Sequence, residues 1–331
     1  MKLLWRFALG ALTVAVLATA GLGWLFYAVY GDRSHPSSSS QIVIARGSSF
    51  DEIARQLAGA GVISNVSTFR ILARLRRQDV AVRAGEYRFI PHLTQSEVLH
   101  DLVSGGAQVA AWVTIPEGFT AAQIAGRLQE AGVGASREYM RDFMHQTLAI
   151  DGARTKNLEG FLFPSTYLVP LGAAPQQVAG QLIAEFFKEL PANAAARARA
   201  LHVSVPEVVT VASLVEREAK REQDRPKIAG VIYNRLRLRM PLQVDATVEY
   251  ALPEHKSVLS FADLKIDSPY NSYVHAGLPP TPIANPGRAS LEAAFNPAKG
   301  NDLYYVYCGN GRHVFAETLA EHQANVARCL Q

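Results

Sequence analysis

The chain has 331 residues, 49% of them hydrophobic and 19% charged, enough for two or three domains and too apolar for extensive disorder. Two cysteines and nine scattered histidines, with no H-E-x-x-H or H-x-x-E-H, offer no metal-type spacing, so no metal or other cofactor is expected. The net charge of +4 leaves nucleic acid open as a partner on charge alone, until the compartment argued below removes it.

Lys2 and Arg6 precede an uncharged, mainly apolar run from Phe7 to Tyr30. That run is long enough for a membrane-spanning helix with some tilt, and Trp24, Phe26, Tyr27 and Tyr30 supply an aromatic belt at one end. A signal peptide cleaved after Ala18-Thr19-Ala20 competes, but the apolar run continues ten residues past that point, which favours a retained anchor (1–30). The basic flank predicts a cytoplasmic N-terminus in a single-pass membrane protein, with the remainder outside the cytoplasm. Nucleic acid is thereby excluded. Asp32–Ser40, with Pro36 and four consecutive serines, reads as a flexible tether within a linker over 31–41.

Residues 42–110 read as a small βααβ domain. Ile42–Ile44 predicts a strand, Ser49 with Glu52 a capping box for a helix to Ala58, Thr68–Arg77 a second helix, Gly85–Phe89 a strand, and Thr94 with Glu97 another capped helix. The β-α-α-β order resembles a LysM-like glycan-binding module, although small modules of this kind serve many functions. The segment Ile42–Val62 is echoed by Val113–Val133 at a constant offset of 71, matching Ile44/Ile115, Gly47/Gly118, Ile53/Ile124, Leu57/Leu128 and Gly61/Gly132. A duplicated strand–turn–helix unit is expected.

In the larger part, 111–331, Phe161 and Phe163 of Glu159–Tyr167 are expected in the core, with Tyr167 open. Gln176–Leu190 and Ala192–Leu201 read as helices. Val208–Val215 is an apolar run interrupted by Thr210 and Ser213, followed by Glu216 and Glu218. Such a run predicts a core helix. Residues i and i+2 lie roughly 200° apart on a helix, so the two glutamates are not expected to line one small site. Glu216 is expected at the surface with Lys220. Glu218 lies over the more apolar stack with Glu222 as its i+4 neighbour, and both influences raise a carboxyl pKa toward what a general acid needs. An ion pair of Glu218 with Arg221 or Arg225 is the structural alternative.

A second helix is expected over Arg225–Met240. Gln243, Asp245 and Thr247 alternate, and on an extended strand they would share one face suited to a polyhydroxylated ligand. Tyr270-Asn271-Ser272-Tyr273 is expected in a loop, and four prolines between Gly277 and Gly287 predict a rigid wall. Leu303–Tyr307 and His313–Ala316 flank Gly309-Asn310-Gly311 as a hairpin, followed by a helix from the Thr318/Glu321 cap to Leu330. Outside the cytoplasm Cys308 and Cys329 would tend to pair as a disulfide, provided their Cα atoms come within about 7 Å.

VASLVEREA (211–219), Asn234-Arg235-Leu236, Gln243-Val-Asp245-Ala-Thr247, Tyr270-Asn271-Ser272-Tyr273 and Gly277-Leu278-Pro279-Pro280, in this order and spacing, resemble the YceG-like endolytic murein transglycosylases. Glu159–Tyr167 also matches that family's aromatic segment, whereas Ser272 departs from its usual Thr. The resemblance covers essentially the whole chain. It implies an α+β protein with an N-terminal transmembrane helix, a LysM-like βααβ domain and a larger mixed catalytic domain. It further implies a lytic transglycosylase that cuts peptidoglycan glycan strands internally between N-acetylmuramic acid and N-acetylglucosamine, leaving 1,6-anhydro ends. The second glutamate of the family's E-x-E pair carries catalysis, which matches Glu218. Gln243, Asp245, Thr247, Tyr270, Asn271, Tyr273 and Glu216 are the matching substrate-binding candidates, and peptidoglycan synthases the implied protein partners. Were Asp245 a nucleophile or base, the enzyme would be a hydrolase. A non-catalytic wall-binding scaffold is the rival from another class.

Overall fold

The computed structural model describes residues 2–33, 39–254, 256 and 258–329. In chain order its elements are α1 (Lys2–Tyr30), β1 (Ser40–Ile44), α2 (Phe50–Gly59), α3 (Val66–Leu75), β2 (Gly85–Phe89), α4 (Gln95–Ser104), β3 (Ala110–Thr114), α5 (Ala121–Glu130), α6 (Ser136–His145), β4 (Ala149–Ile150), β5 (Ala153–Arg154) and β6 (Thr166–Pro170). Then follow α7 (Pro175–Glu189), α8 (Ala194–Ala200), α9 (Val205–Glu218), α10 (Arg225–Arg237), α11 (Asp245–Ala251), α12 (Arg288–Phe295), β7 (Tyr304–Tyr307), β8 (His313–Ala316) and α13 (Leu319–Cys329). The fold is mixed α+β, and the described strands pair in twos: β1 with β2, β3 with β6, β4 with β5 and β7 with β8.

The chain divides into two compact units. The first comprises Met1–Ala111 and Leu168–Ala174, the second Trp112–Tyr167 and Pro175–Gln331. In the first, β1 and β2 pair antiparallel with Ile42 opposite Tyr87, and α2, α3 and α4 close over Ile44, Leu57, Phe69, Leu72, Phe89 and Leu99. The βααβ order is therefore present. The returning segment 168–174 is held by the Glu86 N–H to the Leu171 carbonyl (3.2 Å) and by Arg46 Nη2 to the Ala173 carbonyl (2.6 Å).

α1 contains a 22-residue stretch, Leu9–Tyr30, long and apolar enough to cross a membrane. Its last turns pack directly on α3 and α4, with Val29 inside the first unit's core. Most of the expected tether, 34–38, lies outside the described residues, as does Leu330, the expected end of the closing helix. The described flank is held rather than loose, because Arg33 bridges Thr94 and its Nη1 donates to the His92 carbonyl at 3.1 Å.

The repeat is structural. α2 and α5 occupy 50–59 and 121–130, the offset of 71 read from the sequence. Ser49/Glu52 and Thr120/Gln123 form equivalent capping boxes. The turn glycines Gly47 and Gly118 take φ of +82° and +77°, a conformation that costs little only without a Cβ. Both copies begin with a strand, but β1 pairs with β2 and β3 with β6.

The second unit is organised around α9. Its capping box (Ser204/Glu207) and the proline in its first turn fix the start. Every residue from Val208 to Val215 is buried, against α8, α10, α11 and α12. Thr210 and Ser213 fit this environment by bonding back to the carbonyls of Pro206 (3.1 Å) and Thr210 (2.7 Å). Phe161, Phe163 and Tyr167 are all buried; Tyr167, left open by the sequence, donates to the Phe163 carbonyl at 2.7 Å. The β7–β8 hairpin and α13 are joined by a Cys308–Cys329 disulfide, with Cα atoms 4.5 Å apart.

Leu214 is fully buried in this core. Leu214→Ala should lower the unfolding free energy by about 2–5 kcal/mol, measured as an earlier urea midpoint with an unchanged slope.

Candidate active site

A cleft of ≈ 260 Å³ opens where α9 ends, lined by Glu117, Gly118, Glu216, Arg217, Glu218, Lys220, Asp245, Ala246 and Glu249. Four pieces of chain build it: the turn before α5, the C-terminal end of α9, the first turns of α11, and β7 behind Glu218. All belong to the second unit.

Glu218 is the last residue of α9 and is partly buried. Its Oε2 accepts a hydrogen bond from the Tyr305 hydroxyl at 3.1 Å. Burial pushes its carboxyl up to about 7, opposed by the Tyr305 hydrogen bond and reinforced by the charge of Asp245. The alternative ion pair with Arg221 or Arg225 is not formed, since Arg225 reaches Glu216 instead and Arg221 the Asn310 carbonyl.

Glu216 corrects the sequence reading. Its side chain is only 8% exposed. It accepts the Gly287 backbone N–H at 3.0 Å and faces Arg225 Nη2 at 3.4 Å, with no surface pair to Lys220. Nor do the two glutamates belong to separate sites. Because α9 stops at Glu218, both reach the same cleft, their carboxylates turned toward different partners.

The expected strand over Gln243–Thr247 is also absent. Gln243 takes φ +53° and α11 starts at Asp245, so the alternation records burial along a turn. Gln243 and Asp245 are exposed, while Val244, Ala246 and Thr247 are buried. Asp245 lies in the cleft, its Oδ1 accepting from the Tyr273 hydroxyl at 2.5 Å. Gln243 receives Arg235 Nη1 at 3.4 Å.

Thr247 and Asn271 do not line the cleft. Both are fully buried. Thr247 bonds the Val244 carbonyl (2.7 Å) and Ser272 Oγ (2.9 Å). Asn271 Nδ2 donates to the carbonyls of Leu264 (3.1 Å) and Ile266 (2.9 Å). They fix the 270–273 loop against α11, and through it Tyr273 against Asp245. Tyr270 bonds Thr281 at 2.8 Å and packs its ring 4.9 Å from that of Tyr250.

Several contributors were not among the site residues expected from sequence, although Arg235 and Glu159 lie in motifs it offered. Glu117, in the turn before α5, has its carboxyl raised by burial and by Glu216, against Arg225. A Cβ on Gly287 would collide with it. Arg235 supports the site from behind, its guanidinium donating to the carbonyls of Leu303 (2.7 Å) and Leu242 (2.8 Å). Glu159 is wholly buried and accepts from the Ala121 N–H (2.9 Å), Asn285 Nδ2 (2.9 Å) and the Tyr250 hydroxyl (3.1 Å). Burial still pushes its carboxyl up to about 7. The Glu-Gly pair at 159–160 was the available signal for it.

The proline-rich segment does wall a cavity, but a different one. Gly277–Pro282 with Thr155, Asn157, Pro206 and Thr210 lines ≈ 550 Å³ that touches neither Glu218 nor Asp245. The smaller cleft is where groups able to move a proton converge.

The YceG-like family profile matches residues 42–328. The endolytic murein transglycosylase of Bacillus subtilis is 34% identical over 304 residues, covering 85% of this chain and 82% of that protein. That of Streptococcus pneumoniae D39 is 31% identical over 97% of this chain, which spans 64% of the pneumococcal protein. A crystal structure of a yceG-like protein from Listeria monocytogenes superposes with a TM-score of 0.58 at 32% identity, over 87% of this chain and 99% of that one.

Glu218 and Glu159 rise from an ordinary 4.5 to about 7 in the folded state. The folded protein therefore holds more protons than the unfolded chain between those values, and stability falls as pH rises through that window. Glu218→Gln removes one of the two contributions. Its melting temperature should gain more over the parent at about pH 8 than at about pH 5; equal gains at both would contradict the burial of Glu218.

Proposed function

The chain belongs to the YceG-like family, and from that membership we propose that it is a membrane-anchored endolytic peptidoglycan lytic transglycosylase with Glu218 as its acid and base. One observation carries the reading: a carboxyl group held near neutrality at the end of a core helix, in a cleft it shares with Asp245 and Glu216. The substrate would be the glycan strand of peptidoglycan, cleaved between N-acetylmuramic acid and N-acetylglucosamine.

In the first step protonated Glu218 gives its proton to the glycosidic oxygen as the bond to C1 breaks. The resulting carboxylate then takes the proton of the muramyl C6 hydroxyl, whose oxygen closes on C1. The product is a 1,6-anhydro end; no water is consumed and Glu218 is reprotonated. Tyr305 holds Oε2, which leaves Oε1 to face the sugar. Asp245, held by the Tyr273 hydroxyl, would bind sugar hydroxyls, with Glu216 and Arg225 fixing the neighbouring wall; Gln243 is exposed but is not among the residues lining the cleft. Tyr270, Asn271 and Thr247 act through the loop they hold.

The anchor would be α1, with its N-terminus in the cytoplasm and the second unit in the periplasm. The Cys308–Cys329 disulfide fits an oxidising compartment. The βααβ unit would be a LysM-like glycan-binding module, and the family likeness points to peptidoglycan synthases as partners.

Incubation of the full-length protein with purified peptidoglycan should release fragments with anhydro ends by mass spectrometry. Reducing ends would make it a hydrolase using Asp245, and binding without release would make it a scaffold. Glu218→Gln should lose at least the roughly 10²–10⁴-fold typical of acid–base catalysis while still binding glycan. Asp245→Asn should weaken activity without changing the product. An inactive Glu216→Gln beside an active Glu218→Gln would reverse the roles.

Tyr305→Phe tests the proton's setting. The Tyr305 hydrogen bond lowers the Glu218 pKa, so its loss should raise it. The decline of kcat/KM on the alkaline side, where the acid form is lost, should then move to higher pH; an unmoved profile would remove Tyr305 from the mechanism.

A further inference from the structure

The first unit has an apolar face that its own core does not explain. On α3, Leu72 and Ala73 are buried, whereas Ile71 and Leu75 point outward, 43% and 73% exposed. These two residues, one turn apart, share a groove of ≈ 250 Å³ with Leu72, Arg76 and five residues of α1: Leu22, Leu25, Phe26, Val29 and Tyr30. Exposed Arg74 and Arg77 border the same end of α3. Arg76 is pinned to the end of α1, its Nη2 2.9 Å from the Tyr30 hydroxyl and its guanidinium 5.8 Å from the Tyr30 ring centre.

The position of this face follows from helix length. A span of 22 residues, Leu9–Tyr30, is about 33 Å long at 1.5 Å per residue, little more than the roughly 30 Å of bilayer hydrocarbon. Ala28 and Val29 are already buried in the first unit. With Leu9–Tyr30 as the span, no aqueous gap would be left between the bilayer and α3. Leu22 lies eight residues before Tyr30, about 12 Å down the helix, yet it borders the same groove as Ile71 and Leu75. Whatever surrounds the outer end of α1 therefore also meets α3.

We propose that α3 is a second membrane contact, lying in the headgroup layer beside α1, with Ile71 and Leu75 in the acyl boundary and Arg74 and Arg77 on anionic phospholipid headgroups. Two apolar residues flanked by arginines suit an interfacial helix, whose apolar side sinks about 5–10 Å into that boundary, and nearby basic residues draw it to negatively charged lipid. The occupant is lipid because the groove continues the surface of the span itself. The contact would fix the first unit against the bilayer. The inference rests on α1 crossing the membrane, so the test reports on both.

Full-length protein carrying a single environment-sensitive fluorophore at Leu75→Cys, Val16→Cys or Val43→Cys would be reconstituted into phosphatidylglycerol-containing vesicles. Labelling under non-reducing conditions leaves Cys308 and Cys329 paired. Val16 is in mid-span, and Val43 is exposed on β1. The proposal expects quenching at 75 by nitroxides placed near the headgroups, deep quenching at 16 and none at 43. It also expects Arg74→Gln with Arg77→Gln, or phosphatidylcholine alone, to reduce quenching at 75 but not at 16. Quenching at 16 with a water-exposed label at 75 overturns the α3 contact and leaves the anchor standing. No quenching at 16 removes the anchor and the proposal together. A label at 75 shielded without quenching, in a particle of doubled mass, would assign the face to a second copy and overturn the lipid reading.

Discussion

A helix buried on every side must end somewhere, and α9 ends on a carboxyl group. Its apolar run fixes it in the core of the second unit, so its last turn cannot swing away, and Glu218 is delivered to the cleft by packing. The same placement makes the charged form costly. Burial withholds water, and the C-terminal end of a helix carries partial negative charge that disfavours an anion. The neutral hydroxyl of Tyr305 offsets this in part. A group held this way keeps its proton to near neutral pH and can surrender it when a neighbouring oxygen gains basicity.

The two glutamates of one helix end show how surroundings divide identical chemistry. Glu216 has a guanidinium and a backbone N–H for its oxygens; Glu218 has a phenol. Their difference is imposed from elsewhere in the sequence. Arg225 begins α10 and Gly287 precedes α12, while Tyr305 comes from β7. Behind them Glu159 ties the start of α5 to Asn285 and Tyr250, linking the elements that carry Glu117, Gly287 and Asp245. A buried carboxyl satisfied by donors from three segments holds them in register.

Local pattern was the legible part. Capping residues at Ser49, Thr94, Thr120 and Ser204 and turn glycines at 47 and 118 announce where helices begin and strands turn. The apolar stretch of α9 announces the core, but the helical wheel that set Glu216 at the surface, apart from Glu218, failed: both line one cleft, and Glu216 is only 8% exposed. What local pattern could not carry was the partner across space. Arg225 taking Glu216, and Tyr305 taking Glu218, depend on contacts 9 and 87 residues apart. Alternation misled at 243–247 because period-two burial arises both on a strand and on a turn entering a helix. There the left-handed conformation of Gln243 decided the outcome. Thr247 and Asn271 misled for another reason: a buried polar side chain that holds a loop in place, from helix α11 or from the loop itself, looks the same in sequence as one that touches the ligand.

The duplicated βα unit shows how one local fold acquires two uses. Strand, glycine turn, capping box and helix recur at the same spacing in both copies, so the difference lies in what surrounds each. In the first, the residue before the turn glycine is Arg46, which holds the Ala173 carbonyl. In the second, the equivalent residue is Glu117, beside Glu216 and in contact distance of Gly287. Gly118 donates its N–H to the Asn285 carbonyl at 2.9 Å, and Asn285 is itself held by Glu159. The turn is thus the same in backbone and opposite in charge. One copy's cation closes a structural seam, and the other's carboxyl forms a wall of the cleft. The repeated turn is the same, and the residue at one position within it meets a backbone carbonyl in one copy and a carboxylate-lined cleft in the other.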